Sequence, residues 1–151
     1  MAELSSDTKQ QTLLQLYCRE QMDQPLIPRA GLDTSLYDSE AEAFLAWSET
    51  KRDLVISDIE NRVWVKSCPG GYITEVHFHT DGTLNEYRLF DRFETKGLWY
   101  LNDGLLHVEI IKGDNRYQFA VVANGDLNIH YAVEYKNDEL HSYLKLVQVE
   151  S

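Results

Sequence analysis

The sequence has few cysteines and a marked shortage of positive charge. Its two cysteines, Cys18 and Cys68, lie in unlike contexts without partners at metal-ligand spacing, so we expect reduced thiols. Only 14 lysines and arginines stand against 25 acidic residues, which gives a formal charge of -11. Because such a surface repels phosphate backbones and anionic headgroups, we expect neither nucleic acid nor a membrane as partner, whereas a basic protein is permitted.

Long apolar runs and a recognisable targeting segment are also missing. The N-terminus has neither a basic start nor an apolar stretch, and no run approaches the roughly 18 apolar residues that predict a membrane span. If the chain is complete, we expect a cytoplasmic protein. Gly-x-Ser-x-Gly, phosphate-loop and dinucleotide motifs are absent, so the expectation is a noncatalytic protein without a cofactor.

Helical signals occupy the N-terminal segment, residues 1–57. Ser6 or Asp7 is placed to cap a helix that runs through Met22, and two prolines and a glycine then break it. Ser39 and Glu42 form a capping box that predicts a second helix. The apolar side chains expected to dock these helices on the rest of the domain are Leu13, Leu16, Tyr17, Cys18, Phe44, Leu45 and Trp47.

Regular turn signals mark residues 58–151, about 9–12 residues apart, the spacing of an all-β sandwich or barrel. The interval from Gly82 to Asp103 is twice as long as the others, and a turn near Phe93-Glu-Thr-Lys96 would divide it. About eight strands joined in order predict a mainly β domain, an antiparallel meander that closes into an up-and-down barrel after two α-helices. The alternative is an α+β fold, in which the helices fill the concave face of a curved sheet.

Hairpin register predicts which side chains face the barrel interior, because the turn sets the pairing of its two strands. The turns used are Asp81-Gly82, Asp103-Gly104, the three-residue loop Ala123-Asn124-Gly125, and Asn137-Asp138. Each hairpin then sorts apolar residues to one face. The predicted pairs are Thr74–Leu89, Val76–Tyr87, Glu75–Arg88, His77–Glu86, Leu101–Leu106, Trp99–Val108, Gly97–Ile110, Val121–Leu127, Phe119–Ile129, Tyr117–Tyr131, Tyr135–Leu140 and Tyr131–Leu144.

Aromatic side chains dominate the predicted interior. Apolar walls with a few hydroxyls are typical of small-molecule sites, although the same rings could simply fill the barrel. No inward arginine or lysine is predicted, which argues against a clamp for a ligand carboxylate. The residues predicted to bind a ligand are Phe78, Tyr87, Trp99, Tyr117, Phe119 and Tyr131.

Three metal-capable side chains, Glu75, His77 and His79, share one face of one predicted strand. Carboxylate and imidazole ligands of this kind suit zinc, so a metal site is one interpretation. The predicted register points this face outward and gives Glu75 and His77 charged partners, which favours a solvated charge ladder instead.

The segment Val76-His-Phe-His-Thr-Asp-Gly-Thr-Leu84, followed by Gly97-Leu-Trp-Tyr-Leu-Asn-Asp-Gly-Leu105, resembles the small bacterial lipocalin-like domains of the calycin group. Those domains show a phenylalanine before Asp-Gly-Thr, then Gly-x-Trp, then a hairpin into an aliphatic strand. True lipocalins place Gly-x-Trp on the first strand, whereas the candidate first strand here, Asn61-Arg-Val-Trp-Val65, lacks that glycine. The resemblance implies a barrel able to hold a small apolar ligand, and it carries over no catalytic residue.

Two functional hypotheses follow. The first is a noncatalytic, lipocalin-like protein that holds a small apolar or aromatic ligand in its barrel. The alternative is an acidic interaction module, comparable to immunity proteins and small inhibitors, that engages a basic partner protein. In that case the N-terminal segment would present Trp47 or Leu26-Ile27 at the interface.

Overall fold

The structure, a computed structural model, describes residues 6–21 and 41–149. Two helices come first, α1 (Ser6–Gln21) and α2 (Ala41–Ser48). The strands that follow in the described residues are β1 (Lys51–Arg52), β2 (Val63–Ser67), β3 (Ile73–Phe78), β4 (Thr83–Arg88), β5 (Glu94–Asn102), β6 (Leu105–Lys112), β7 (Asn115–Asn124), β8 (His130–Lys136) and β9 (Glu139–Gln148).

Strands β2 to β9 form a closed antiparallel barrel. Each strand pairs with its neighbours in sequence, and β9 returns to β2, where Lys66 lies opposite Leu146. The short β1 adds to β7, with Lys51 opposite Asn124. The prediction of a mainly β, eight-stranded up-and-down barrel with two helices is confirmed, and the open curved sheet is wrong, because closure on β2 leaves that sheet no free edge.

The helices pack outside the barrel and create a second apolar core there. Leu16, Tyr17 and Cys18 of α1 are buried, as the helix prediction requires, and they meet Val122 and Val133 on the outer face of the sheet. Phe44 and Trp47 of α2 join them, whereas Leu45 is 58% exposed and does not dock as predicted. The predicted cap Ser39 and the Pro25–Leu32 loop lie outside the described residues.

Two predicted hairpins have the expected turns. Asp103 and Gly104 have positive φ angles of 56° and 79°, as a type I′ turn requires, and Trp99 pairs with Val108 as predicted. Asn137 and Asp138 form a second such turn with Tyr135 opposite Leu140. A bulge between Glu134 and Tyr135 then shifts the register, so the predicted Tyr131–Leu144 pair is wrong and Tyr131 faces Lys145 instead.

The Asp81-Gly82 hairpin differs from the prediction by one residue. The loop has three residues, closed by the His79 amide donating to the Thr83 carbonyl (2.9 Å), with Gly82 at φ 87°. Val76 therefore lies opposite Glu86, and Glu75 lies opposite Tyr87. A one-residue shift exchanges the two faces of a strand, so all four predicted β3–β4 pairs are wrong.

Two further turns lie away from their predicted positions. The β4–β5 turn occupies residues 89–93, before the predicted 93–96, and Phe90 and Arg92 take positive φ angles there. Strand β7 continues to Asn124 and β8 begins only at His130, so the three pairs predicted around Gly125 are wrong. The reason is tertiary, because the Gly125 amide donates to the Thr50 carbonyl (2.8 Å) as β1 joins the sheet.

Candidate functional site

The barrel interior divides into two halves, and one is filled with large apolar side chains. Trp64 meets Phe78 edge-on, with ring centroids 6.2 Å apart, and Phe78 meets Trp99 at 6.0 Å. Leu54 and Ile59, from the segment between β1 and β2, are buried in the same core and close this end. We call this part the closed half.

The other half contains a cavity of about 320 Å³. It lies toward the end where the β2–β3, β4–β5, β6–β7 and β8–β9 turns meet, and we call it the open half. Its walls combine apolar, hydroxyl and charged side chains. They are Lys66, Cys68, Tyr72, Thr74, Glu86, Arg88, Ile110, Lys112, Tyr117, Glu134, His141 and Leu144.

A buried ion pair lies between the cavity and the closed half. Lys66 Nζ is 2.6 Å from Glu86 Oε2, and Glu86 is only 6% exposed. Thr74 donates to Glu86 Oε2 (2.8 Å) and Thr95 donates to Oε1 (2.9 Å). Burial opposes the charged form, but Lys66 and the two hydroxyls outweigh burial and lower the pKa of Glu86. Glu86 is therefore a fully partnered carboxylate.

Glu134 is equally buried but poorly partnered. Its nearest basic side chains are those of Lys66 and His141, whose Nζ and Nε2 atoms are each 3.9 Å from a carboxylate oxygen, which is too long for a hydrogen bond. Burial raises the pKa of Glu134, the nearby Glu86 carboxylate raises it further, and Lys66 only partly offsets these effects. Two carboxylates on one cavity wall thus have opposite pKa shifts.

Aromatic and basic side chains surround the cavity mouth. Tyr72 is 66% exposed, and Phe93 lies beneath Arg88 and Lys112, with their charged atoms 5.2 and 5.9 Å from its ring centroid. Arg88 is already bound by Asp91, whose Oδ1 accepts from Nε at 3.1 Å. The half-buried Cys68 completes the rim as a free thiol.

The structure distributes the six predicted ligand residues over three places. Tyr117 lines the cavity, and Phe119 lies just below it, with Lys66 Nζ 5.3 Å from its ring centroid. Phe78 and Trp99 belong to the closed half, where Trp99 donates from Nε1 to the His79 carbonyl (2.9 Å).

Tyr87 and Tyr131 do not face the interior at all. The shifted β3–β4 register places Tyr87 on the outer face, edge-on to His77 at 5.2 Å between ring centroids. Tyr131 lies in the outer core, stacked on Tyr143 at 5.5 Å between centroids. The prediction that these two tyrosines line the barrel is therefore wrong. The residues Tyr135 and Ile129, also predicted inward, lie in the outer core and in the β7–β8 loop.

The candidate metal ligands lie on the outer face, as predicted, but with other partners. Glu75 binds Arg92 (Oε2 to Nη1, 3.0 Å) and approaches His77 Nε2 at 3.3 Å. His79 is instead 2.6 Å from the Asn85 side-chain oxygen. Within residues 6–21 and 41–149, no group of three or more His, Cys, Asp or Glu side chains is arranged to hold a metal ion.

The inward charges of the open half were missed by the sequence reasoning. Lys66 contradicts the expectation of no inward lysine, and its signal was its position two residues after the buried Trp64. Glu86 follows Leu84 with the same spacing on β4. Period-two alternation therefore places both charged side chains on the inward face. They are missing from the prediction because it treats the interior as uniformly apolar.

No family model, curated protein or solved structure matches the chain. Neither described helix is long and apolar enough to cross a membrane.

Proposed function

We propose that the protein binds a small organic ligand in the open half of its barrel, as a noncatalytic, lipocalin-like binding protein. The cavity of about 320 Å³ carries the proposal, because it lies at the lower end of the ~300–1,000 Å³ range of small-molecule sites. Eight strands make a barrel wide enough for one small ligand. The side chains of the closed half fill only part of the length of this barrel.

The cavity walls favour a ligand with an apolar body and one polar group. Ile110, Tyr117 and Leu144 supply apolar surface, whereas Lys66 and Glu134 supply polar atoms below them. Apolar walls with a few convergent polar groups are typical of binding sites for small molecules. The proposal thus keeps the small apolar or aromatic ligand predicted from sequence but adds a polar group at one end of it.

Modification of Cys68 tests the proposal. A bulky maleimide should react there selectively, because Cys18 is 1% exposed and burial raises the pKa of its thiol. We expect 2-phenylethanol to bind the unmodified protein, as measured by calorimetry, and to bind the labelled protein at least tenfold more weakly. Cys68→Ser treated with the same reagent is the matched control and should bind normally.

Two results would contradict the proposal. One is that native mass spectrometry of the protein from its own source shows no small molecule and that 2-phenylethanol shows no saturable binding. The other is that the Cys68 label leaves affinity unchanged, because the ligand would then lie outside the open half.

The alternative of an acidic module for a basic partner stays a prediction. The structure removes one of its supports, because Trp47 is only 7% exposed and packs against Tyr17 and Phe44. Leu26 and Ile27, the other suggested contacts, lie outside the described residues.

A further inference from the structure

The carboxylates on the floor of the cavity outnumber the ammonium groups close to them. Glu86 and Glu134 provide two carboxylates, but Lys66 is the ammonium between them and lies closer to Glu86, 2.6 Å against 3.9 Å. With both carboxylates ionised, Lys66 can pair closely with only one of them, and Lys112 and His141 favour the ionised form of Glu134 without a close contact. Because Glu86 already accepts from Lys66 and two threonine hydroxyls, the carboxylate without a close partner is Glu134.

A carboxyl group as buried as Glu134 is costly without a hydrogen-bond donor. It is 6% exposed, and its contacts with Lys66 and His141 are both 3.9 Å long. A buried ionised group without close partners loses hydration that nothing in the protein replaces. A hydrogen-bond donor on a ligand would therefore contribute more binding free energy at Glu134 than at any cavity group that already has its hydrogen-bond partners.

We propose that the ligand is a small amine, whose ammonium group binds Glu134 at the cavity floor while its apolar body lies against Ile110, Tyr117 and Leu144. This inference rests on the proposed function and names the chemical class of its ligand. The residues concerned all line the cavity, on β6, β7, β8 and β9.

The basic residues at the mouth do not reverse this preference. Arg88 is bound by Asp91, and Lys112, which lies near Phe93 at the mouth, favours the ionised form of Glu134 less than Lys66 does and makes no ion pair with it. An anionic ligand that reached the floor would meet both Glu86 and Glu134, and Lys66 offsets only one of them. The overall charge of -11 also favours the approach of a cation over that of an anion.

A matched series of probes tests the inference on the unaltered protein. Phenethylamine, 2-phenylethanol and 3-phenylpropionate share a phenyl ring on a two-carbon chain and differ in the group at its end. We expect phenethylamine to bind about tenfold more tightly than the alcohol, the value of one charge-assisted hydrogen bond, and the carboxylate to bind most weakly.

Substitution of Glu134 assigns the preference to one residue. In Glu134→Gln the side chain keeps its shape and loses its charge, so the tenfold preference for the amine should fall to about twofold or less while the alcohol still binds. Glu139→Gln removes an exposed charge at the same end of the barrel and should leave the preference unchanged. Glu134→Asp, a second variant that retains the charge, should retain part of the preference.

The outcomes separate the two proposals. If the alcohol or the carboxylate binds as tightly as the amine, or if Glu134→Gln keeps the tenfold preference, the inference is wrong and ligand binding in the open half still stands. If none of the three probes binds, the proposed function itself is wrong, and this inference with it.

Discussion

The closed and open halves of the barrel are built from the same strands but differ in the side chains that occupy their interiors. In the closed half, Trp64, Phe78 and Trp99 fill the interior with rings whose polar atoms all find backbone acceptors. In the open half, the same inward positions carry Lys66 and Glu134 around a cavity. The first arrangement maximises buried apolar area, whereas the second leaves polar groups and volume unused by the fold.

This difference separates structural from functional side chains within one interior. Glu86 and Glu134 are equally buried, yet only Glu86 has a complete set of hydrogen-bond partners. A carboxylate kept buried without such partners costs stability, and proteins retain such costs mainly at functional sites. Between these two carboxylates, it is the number of close partners, and not burial, that differs.

Truncation of a closed-half ring should give the largest loss of stability. Trp64→Ala removes a fully buried side chain that donates to the Asp58 carbonyl (3.1 Å), and we expect a loss of about 4 kcal/mol in the free energy of unfolding. Tyr117→Ala in the open half should cost about 1.5 kcal/mol, because its ring already borders a cavity. Urea unfolding followed by circular dichroism measures both. Equal losses would break the distinction between the halves.

Acidification should weaken the protein through His130 at the closed end. Burial, reinforced by Arg52 and Lys51, lowers the pKa of His130 from 6.5 to about 4. Between these values the unfolded chain binds a proton that the folded protein does not, so stability falls as pH falls from 6.5 toward 4. We expect this residue to account for a loss of about 3 kcal/mol between pH 7 and pH 4.

The pH prediction is tested by the difference between two proteins. His130→Gln retains an acceptor for the Asn124 amide, which now donates to His130 Nδ1 at 3.0 Å, but it has no titrating ring. Between pH 7 and pH 4, the free energy of unfolding of this variant should fall by about 3 kcal/mol less than that of the wild type. Parallel pH profiles for the two proteins would show that His130 does not titrate as described.

Neutralisation of the two cavity carboxylates should affect stability unequally. Glu86→Gln breaks the pair with Lys66 and should lower the unfolding free energy by about 2 kcal/mol. Glu134→Gln removes a poorly partnered charge and should leave stability within about 0.5 kcal/mol or raise it. Chemical denaturation at pH 7 compares them. A larger loss from Glu134→Gln would identify Glu134 as a structural residue.

The smallest effect is expected at the mouth. Phe90 is 93% exposed on the β4–β5 turn, so Phe90→Ser should change the unfolding free energy by less than about 0.5 kcal/mol. Phe78→Ser in the closed half is the matched substitution, and thermal unfolding of both variants provides the comparison. A marked destabilisation from Phe90→Ser would mean that the mouth contributes to the folded core.

The barrel could be predicted from sequence because its turns carry local signals. Asp103-Gly104 and Asn137-Asp138 adopt positive φ angles at both central residues. Asn, Asp and Gly are the residue types that favour this conformation in tight hairpin turns. Gly97, by contrast, is required by a contact between strands, because a Cβ there would clash with the Glu109 carbonyl on β6. The wrongly predicted turn at Gly125 depends on a contact distant in sequence, that between Gly125 and Thr50.

The site was harder to predict because a shift of one residue in strand register changes which side chains face the interior. The Asp81-Gly82 loop holds three residues and not two, and this exchanges Tyr87 for Glu86 in the interior. The bulge after Glu134 has the same kind of effect on β8. Apolar periodicity indicated a barrel, but only the exact pairing indicates which half of it is polar.

A titration followed by NMR tests the central claim most directly. Phenethylamine is added to the ¹⁵N-labelled protein, and amide shifts are followed at saturation. We expect saturable changes clustered around Lys66, Tyr117 and Glu134, with the amides of Trp64 and Phe78 in the closed half unaffected. Changes confined to the closed half or the outer face, or no saturable change with either the amine or 2-phenylethanol, would contradict it.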